Sequence, residues 1–171
     1  MKTAIALCLS LLLAGGGAAA AEPVPTGSFQ FRFSVEMPGT AVEVFDAATG
    51  DISGWWDHSM SVNPVELVIE PVPGGRFLEI MDRDGGGVVH ATVTQVQRGK
   101  MLRMVGPMGL AGHAIHMVTT WTLEQPTENT TTFTVEVHAA GEVHEGWGDV
   151  VEKTWRHFIE GRLLPHLQEE K

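Results

Sequence analysis

The sequence predicts an α+β domain: one curved antiparallel sheet of about seven strands wrapped around a long C-terminal helix, with two short helices after the first strand. Three observations carry this. Apolar and polar residues alternate without a break from Ser28 to Met37. Runs rich in branched and aromatic residues, separated by glycine and proline turns, follow from Val62 to Ala139. The period then switches to three and four residues between Asp149 and Gln168. A half-apolar sheet must bury one face, and a single amphipathic helix of this length is the economical cover for it.

The first strand places Phe29, Phe31, Phe33, Val35 and Met37 on one face and Gln30, Arg32, Ser34 and Glu36 on the other. Pro38-Gly39 ends it. Thr40 then caps a short helix, with Glu43 at the spacing of a capping box and Val44, Phe45 and Ala48 as its apolar side. Gly50 stops this helix. Further strands are read at Val62–Glu70, Arg76–Met81, Val88–Gln97, Lys100–Val105, Ile115–Glu124 and Thr131–Ala139. The turns between them include Pro71-Val-Pro-Gly-Gly75, Asp82-Arg-Asp-Gly-Gly-Gly87 and Gln125-Pro-Thr-Glu-Asn129. In the last helix Val151, Trp155, Phe158, Ile159, Arg162, Leu163 and Leu167 recur at three- and four-residue spacing, Asp149 is placed at the N-cap, and Pro165 is expected to bend or weaken the final turn.

Residues 1–21 are set apart by composition. Lys2, an apolar run from Ala4 to Ala14, and Ala18-Ala-Ala-Ala21 before Glu22-Pro23 make the three-part layout of a secretory signal peptide. The run from Thr3 to Ala21 is diluted by Gly15-Gly-Gly17 and alanine, which weakens it as a membrane span. Cys8 follows Leu7 in mid-run, unlike a lipid-attachment cysteine. The expected organisation is therefore a signal peptide at 1–21, an extended leader at 22–27 and one domain at 28–171. Export across the inner membrane to the periplasm follows as an expectation, without stable membrane insertion after cleavage. Beyond residue 21 there is no cysteine, so the domain must be held by its core rather than by disulfides.

The formal net charge is −10, with only eleven Lys and Arg in scattered positions. That excludes the basic footprint of a nucleic-acid-binding protein and disfavours anionic lipid surfaces. The charge reads as solubility. A monomer or weak dimer is expected.

The densest segment is Thr49-Gly-Asp-Ile-Ser-Gly-Trp-Trp-Asp-His58, where two tryptophans sit among glycines and aspartates at the junction between short helix and strands. Such a pair either caps the core or forms the lid or wall of a cavity. This segment, with Val42-Glu-Val-Phe-Asp-Ala47 before it and Gly74-Gly-Arg-Phe-Leu-Glu79 after it, resembles the START-like (SRPBCC) helix-grip superfamily. Val93-Thr-Gln-Val-Gln-Arg-Gly-Lys-Met-Leu-Arg103, Thr120-Trp-Thr-Leu-Glu124 and Glu145-Gly-Trp147 extend the resemblance over about residues 28–168. It is nearest the branch holding polyketide cyclase/dehydrases and heat-shock-protein ATPase activator homologues. The resemblance implies an apolar cavity between sheet and long helix that takes hydrophobic small molecules. Its members include binders, aromatase/cyclases and co-chaperones, so the fold does not settle function. Export makes a cytosolic co-chaperone role implausible.

Glu79 matches an acidic position of the family's Gly-Gly-Arg-Phe strand, and parity places it inward with Phe77 and Met81. It would serve as a ligand anchor or as a general acid/base with a raised pKa; the competing reading is an ion pair with Arg76, Arg103 or another neighbour. Of eight histidines, His113-Ala-Ile-His116 and, separately, His144-Glu145 form the best clusters, with His90 and His138 on candidate neighbouring strands. His116 and His138 fall on outward faces, and parity does not orient His90. Scattered, solvated histidines are the better reading, so no metal and no cofactor are expected. Met101, Met104, Met108 and Met117 cluster near the Gly106–Gly112 loop, where methionine suits either an adaptable pocket or core filling.

The expected function is binding of a small hydrophobic molecule. The expected pocket is lined by Trp55, Trp56, Phe77, Met104, Trp121, Trp155 and Phe158, with Glu79 as the main polar contact. The alternatives are a cyclase/dehydratase-like enzyme using Glu79 as acid/base, assisted by His90, and a structural or partner-binding module.

Overall fold

The computed structural model describes residues 22–169, so the signal-peptide reading of residues 1–21 lies outside the described residues. Eight antiparallel strands form one curved sheet in the order β1-β8-β7-β6-β5-β4-β3-β2. They are β1 (Thr26–Pro38), β2 (Gly50–Asp51), β3 (Glu66–Ile69), β4 (Arg76–Ile80), β5 (Gly87–Gln97), β6 (Met101–Val105), β7 (Ile115–Thr127) and β8 (Thr130–Glu142). Helix α1 (Ala41–Ala48) carries the chain from β1 at one edge to β2 at the other, and the remaining strands meander back until β8 pairs with β1. The C-terminal helix spans 23 residues: α2 (Trp147–Phe158), a π-helical turn (Ile159–Leu163) and α3 (Leu164–Glu169). This architecture is consistent with a helix grip. No described helix is long and apolar enough to cross a membrane.

The strong periodic signals hold. Phe33 and Met37 of β1 are buried, as are Phe133, Val135 and Val137 of β8 beside them. The capping box forms as expected: the Glu43 N–H donates to Thr40 Oγ1 at 3.3 Å, and the Thr40 N–H donates to Glu43 Oε2 at 2.8 Å.

Four details differ from expectation. The sheet has eight strands rather than seven; the extra one, β2, has only two residues, too few to show any alternation. A second short helix does not form after β1. Instead Ile52 to Trp56 make a turn, with the Trp55 and Trp56 N–H groups both donating to Ile52 O at 3.1 and 2.9 Å. β1 begins at Thr26, which shortens the leader, while the segment before Glu66 stays outside the sheet and leaves Val62 94% exposed. Finally, the long helix starts at Trp147 behind a left-handed Gly146 (φ 78°), so Asp149 sits in the first turn rather than at the N-cap.

Pro165 has the consequence that its chemistry demands. It lacks an N–H, and its ring would crowd the carbonyl four residues back at Gly161. The helix widens just before it: the Leu164 N–H donates to Ile159 O, a five-residue step, and the chain continues as α3. The widened turn keeps Ile159 and Leu163 fully buried against the sheet.

Candidate ligand cavity

Between the long helix and the sheet, packing leaves a cavity of about 340 Å³. Its walls are Trp56, Phe77 and His90 from the sheet side, Met108, Gly109 and Leu110 from the loop after β6, and Val150, Val151, Thr154, Trp155 and Phe158 from α2; Met117 of β7 also contributes. His58, Ser59 and Met60 complete the rim. Met60 is 49% exposed and Val150 62% exposed while both line the space, which puts the mouth between that rim and the first turns of α2.

The tryptophan pair divides its work. Trp55 is buried in the core, and its indole N–H donates to Ala47 O at 3.0 Å, tying the turn to the end of α1. Trp56 faces the cavity. Its ring stacks on Phe158 with centroids 3.7 Å apart and meets Phe77 edge-on at 4.9 Å and Trp155 at 5.9 Å. Adjacent residues on a turn point to different sides, which gives the two indoles separate roles.

Of the eight residues expected to form the pocket, Trp56, Phe77, Trp155 and Phe158 line it. Trp55, Met104 and Trp121 are buried in the core beside it and do not. Trp121 packs against Trp155 with centroids 6.0 Å apart, one layer behind the wall. Its Nε1, like Thr119 Oγ1 two residues earlier, is buried without a hydrogen-bond partner among the described residues. Met108 and Met117 line the space, whereas Met101 and Met104 do not. Met108 also adopts φ 52°, a left-handed conformation that non-glycine residues seldom hold and that costs about 1 kcal/mol or more.

Glu79 is fully buried and points inward, as parity requires, but it stands behind the wall rather than in it. Neither Arg76 nor Arg103 is its partner: Arg76 pairs with Glu70, and Arg103 bonds Thr120 and Gln95. Its carboxylate instead accepts from the backbone N–H groups of Met60 and Ser61, both at 2.9 Å, and from the Ser61 hydroxyl at 3.1 Å. The fourth contact is His90 Nε2, 3.1 Å from Oε2. Burial pushes the Glu79 carboxyl up, but the amides of Met60 and Ser61, with His90 and the Ser61 hydroxyl, outweigh it and hold the group below the ordinary carboxylate range. The raised pKa expected of a proton-donating Glu79 is therefore reversed.

His90 is the residue that brings this charge to the cavity. Between β4 and β5 the pairing steps from Phe77–Ala91 to Leu78–Val89, so His90 is the extra residue of a β-bulge. The bulge turns His90 and Ala91 both inward, and simple alternation cannot orient such a residue. An ionised carboxylate only accepts, so Nε2 carries the hydrogen. In the neutral ring Nδ1 is then an acceptor, and it makes no hydrogen bond among the described residues.

The rim carries a second polar group. Asp57 Oδ1 lies 2.9 Å from His58 Nδ1, Asp57 Oδ2 lies 2.9 Å from His157 Nε2 on α2, and Arg162 Nε approaches Oδ2 at 3.3 Å. These contacts fasten the segment after the tryptophans to the helix beside the mouth. Asp57 and His58 were conspicuous in the sequence, but their distant partners His157 and Arg162 gave no local signal. His116 and His138 are exposed, as expected.

Neither protein-family models nor curated proteins give a match to the chain. Solved structures do. A Staphylococcus aureus protein of unknown function superposes with a TM-score of 0.61 at 12% identity, covering 85% of this chain and 96% of that one. A Nitrosomonas europaea protein gives 0.54 at 19% identity over 82% and 95% of the two chains. A protein from the dynemicin biosynthetic locus gives 0.53 at 20% identity, covering 83% of this chain and 48% of that one. At these identities the likeness establishes a shared helix-grip-like fold and leaves activity to the site itself.

Proposed function

We propose that the protein binds a small, largely apolar molecule in the cavity between sheet and C-terminal helix. One observation carries the reading: an open-mouthed space of about 340 Å³ walled by Trp56, Phe77, Met117, Trp155 and Phe158, with His90 as a polar point backed by buried Glu79. Apolar walls with few, fixed polar groups are the general profile of small-molecule sites. The ligand on this reading is a ring-sized or short-chain molecule whose hydroxyl or similar donor meets His90. On the strength of residues 1–21 we also propose that binding takes place outside the cytoplasm. Mass spectrometry of organic extracts tests the proposal. Protein purified from its native compartment should carry an apolar molecule that is absent from a Thr154→Trp variant, whose larger side chain occupies the cavity. Equal extracts from both proteins would overturn it.

The buried Glu79–His90 pair supports a second reading, a dehydratase- or cyclase-like reaction in which His90 moves the proton and Glu79 stabilises the imidazolium. This differs from the acid/base role expected of Glu79 itself. Its test is recovery of the added ligand after incubation: a product lighter by one water, lost in His90→Gln while binding persists, would favour catalysis. Unaltered ligand would leave binding alone.

A further inference from the structure

A cluster distinct from the Glu79–His90 pair carries a separate inference. His113, in the loop before β7, Glu142, the last residue of β8, and His144, before α2, bring their ligand atoms within 4.8 Å of one another. His113 Nδ1 lies 2.7 Å and His144 Nε2 3.2 Å from the same oxygen, Glu142 Oε1. We propose that these three side chains form a binding site for a divalent transition ion of the zinc–copper class.

The carboxylate is positioned before any ion arrives. Gly141 adopts φ 127°, and a Cβ there would stand 2.3 Å from Ala114 O, so glycine allows the end of β8 to lie directly against Ala114. Glu142 is then clamped twice by that residue. Its N–H donates to Ala114 O at 2.9 Å, and its Oε2 accepts the Ala114 N–H at 3.2 Å. Oε1 is left to the two imidazoles. Both rings rest on Trp147, with centroids 4.9 Å from His113 and 4.6 Å from His144, which restricts their orientation. Supporting contacts of this kind are what fix ligands in metal sites.

Charge and ligand type select the ion. A carboxylate is ionised throughout the neutral range and supplies the site's negative charge. Two imidazoles and one carboxylate suit zinc or copper, whereas calcium and magnesium seek oxygen-rich shells. Three protein ligands leave a position for water. The cluster at the rim is a poorer host, because the Arg162 guanidinium already occupies Asp57 at 3.3 Å and would repel a cation. No Arg or Lys contacts Glu142 among the described residues. A bound ion would also join two walls of the cavity: His113 hydrogen-bonds through its N–H to Leu110 O, and Trp147 opens the helix that supplies Val150 and Val151.

Isothermal titration of Zn²⁺ into untagged, chelator-treated protein tests the site. The parent should bind one equivalent saturably. His113→Ala and His144→Ala should each weaken binding by at least about tenfold, the lower end of what losing even a supporting group costs a metal site. His113→Gln and His144→Gln retain a hydrogen-bonding side chain and should fold as the parent does, yet lose binding equally. His157→Ala, at the rim, should leave it unchanged. Cu²⁺ should quench Trp147 emission, and Trp147→Phe should remove that quenching. Absence of saturable binding, indifference to both His113 and His144 substitutions, or loss of binding in His157→Ala would overturn the proposal.

Discussion

The two halves of the sheet differ in how faithfully they keep their ladders. β1 and β8 pair residue for residue from Thr26–Glu142 to Pro38–Thr130 with no register shift, and beneath them Phe133, Val135 and Val137 are fully buried. β4, β5 and β6 are shorter or interrupted, with shifts at Phe77/Leu78 and again between Val93 and Gln95. Packing is continuous in the regular half; in the bulged half it opens into the cavity, and His90 enters its wall. Regular pairing fills the grip, and the irregularity leaves the space and sets His90 in its wall, where the proposed ligand would lie.

Substitutions can sharpen this contrast. The largest effect on stability should come from the regular half: Phe133→Ala removes a fully buried ring and should cost about 3–5 kcal/mol in denaturant unfolding. Trp56→Ala, at a wall already bordering open space, should cost less than about 3 kcal/mol. It should nevertheless weaken ligand binding by about tenfold or more, equivalent to about 1.4 kcal/mol. A Trp56→Ala variant as destabilised as Phe133→Ala would erase the distinction between the halves.

Glu79→Gln comes next, at about 2 kcal/mol at neutral pH, because charge-assisted hydrogen bonds are weakened inside the protein. The sign of its pH dependence is fixed by the direction of the shift. The Glu79 carboxyl is lowered from 4.5, so its stabilisation is present above about pH 4.5 and is lost as pH falls through its folded value. Acid unfolding of the parent should therefore steepen below pH 4.5, and Glu79→Gln should flatten that part of the curve. An unchanged curve would show that the carboxylate is not held ionised. The smallest effect is expected at Thr119, whose hydroxyl is buried without a partner. Thr119→Val should raise stability by up to about 1 kcal/mol in thermal unfolding.

Legibility in the sequence follows the same division. Where period alone decides, as in β1, β8, α1 and the long helix, the elements were readable to within a few residues. Half of the expected pocket, Trp56, Phe77, Trp155 and Phe158, comes together because these side chains lie on inward faces of periodic elements or on the turn beside them. The misplacements have local causes. Trp55 and Trp56 share one sequence signal, but a turn sends them in different directions. Met104 and Trp121 face inward into the packed core beside the cavity, and inward-facing does not mean cavity-facing. His90 could not be oriented because a bulge breaks the alternation on which orientation depends. Glu79 was found by parity, yet its partners Met60 and Ser61 come from the unassigned stretch between the tryptophan pair and the strand read from Val62. The His113–Glu142–His144 group depends on Gly141 and a strand end meeting a loop, which no short spacing reveals.

The central claim is that the bulged half holds an apolar ligand beside Trp56. Titration with N-phenyl-1-naphthylamine, a neutral aromatic probe, tests it most directly by energy transfer from tryptophan. The account predicts saturable binding that is lost in Thr154→Trp and weakened in Trp56→Ala, with Phe133→Leu binding as the parent does. Equal binding by Thr154→Trp and the parent, or no saturable binding at all, would contradict it.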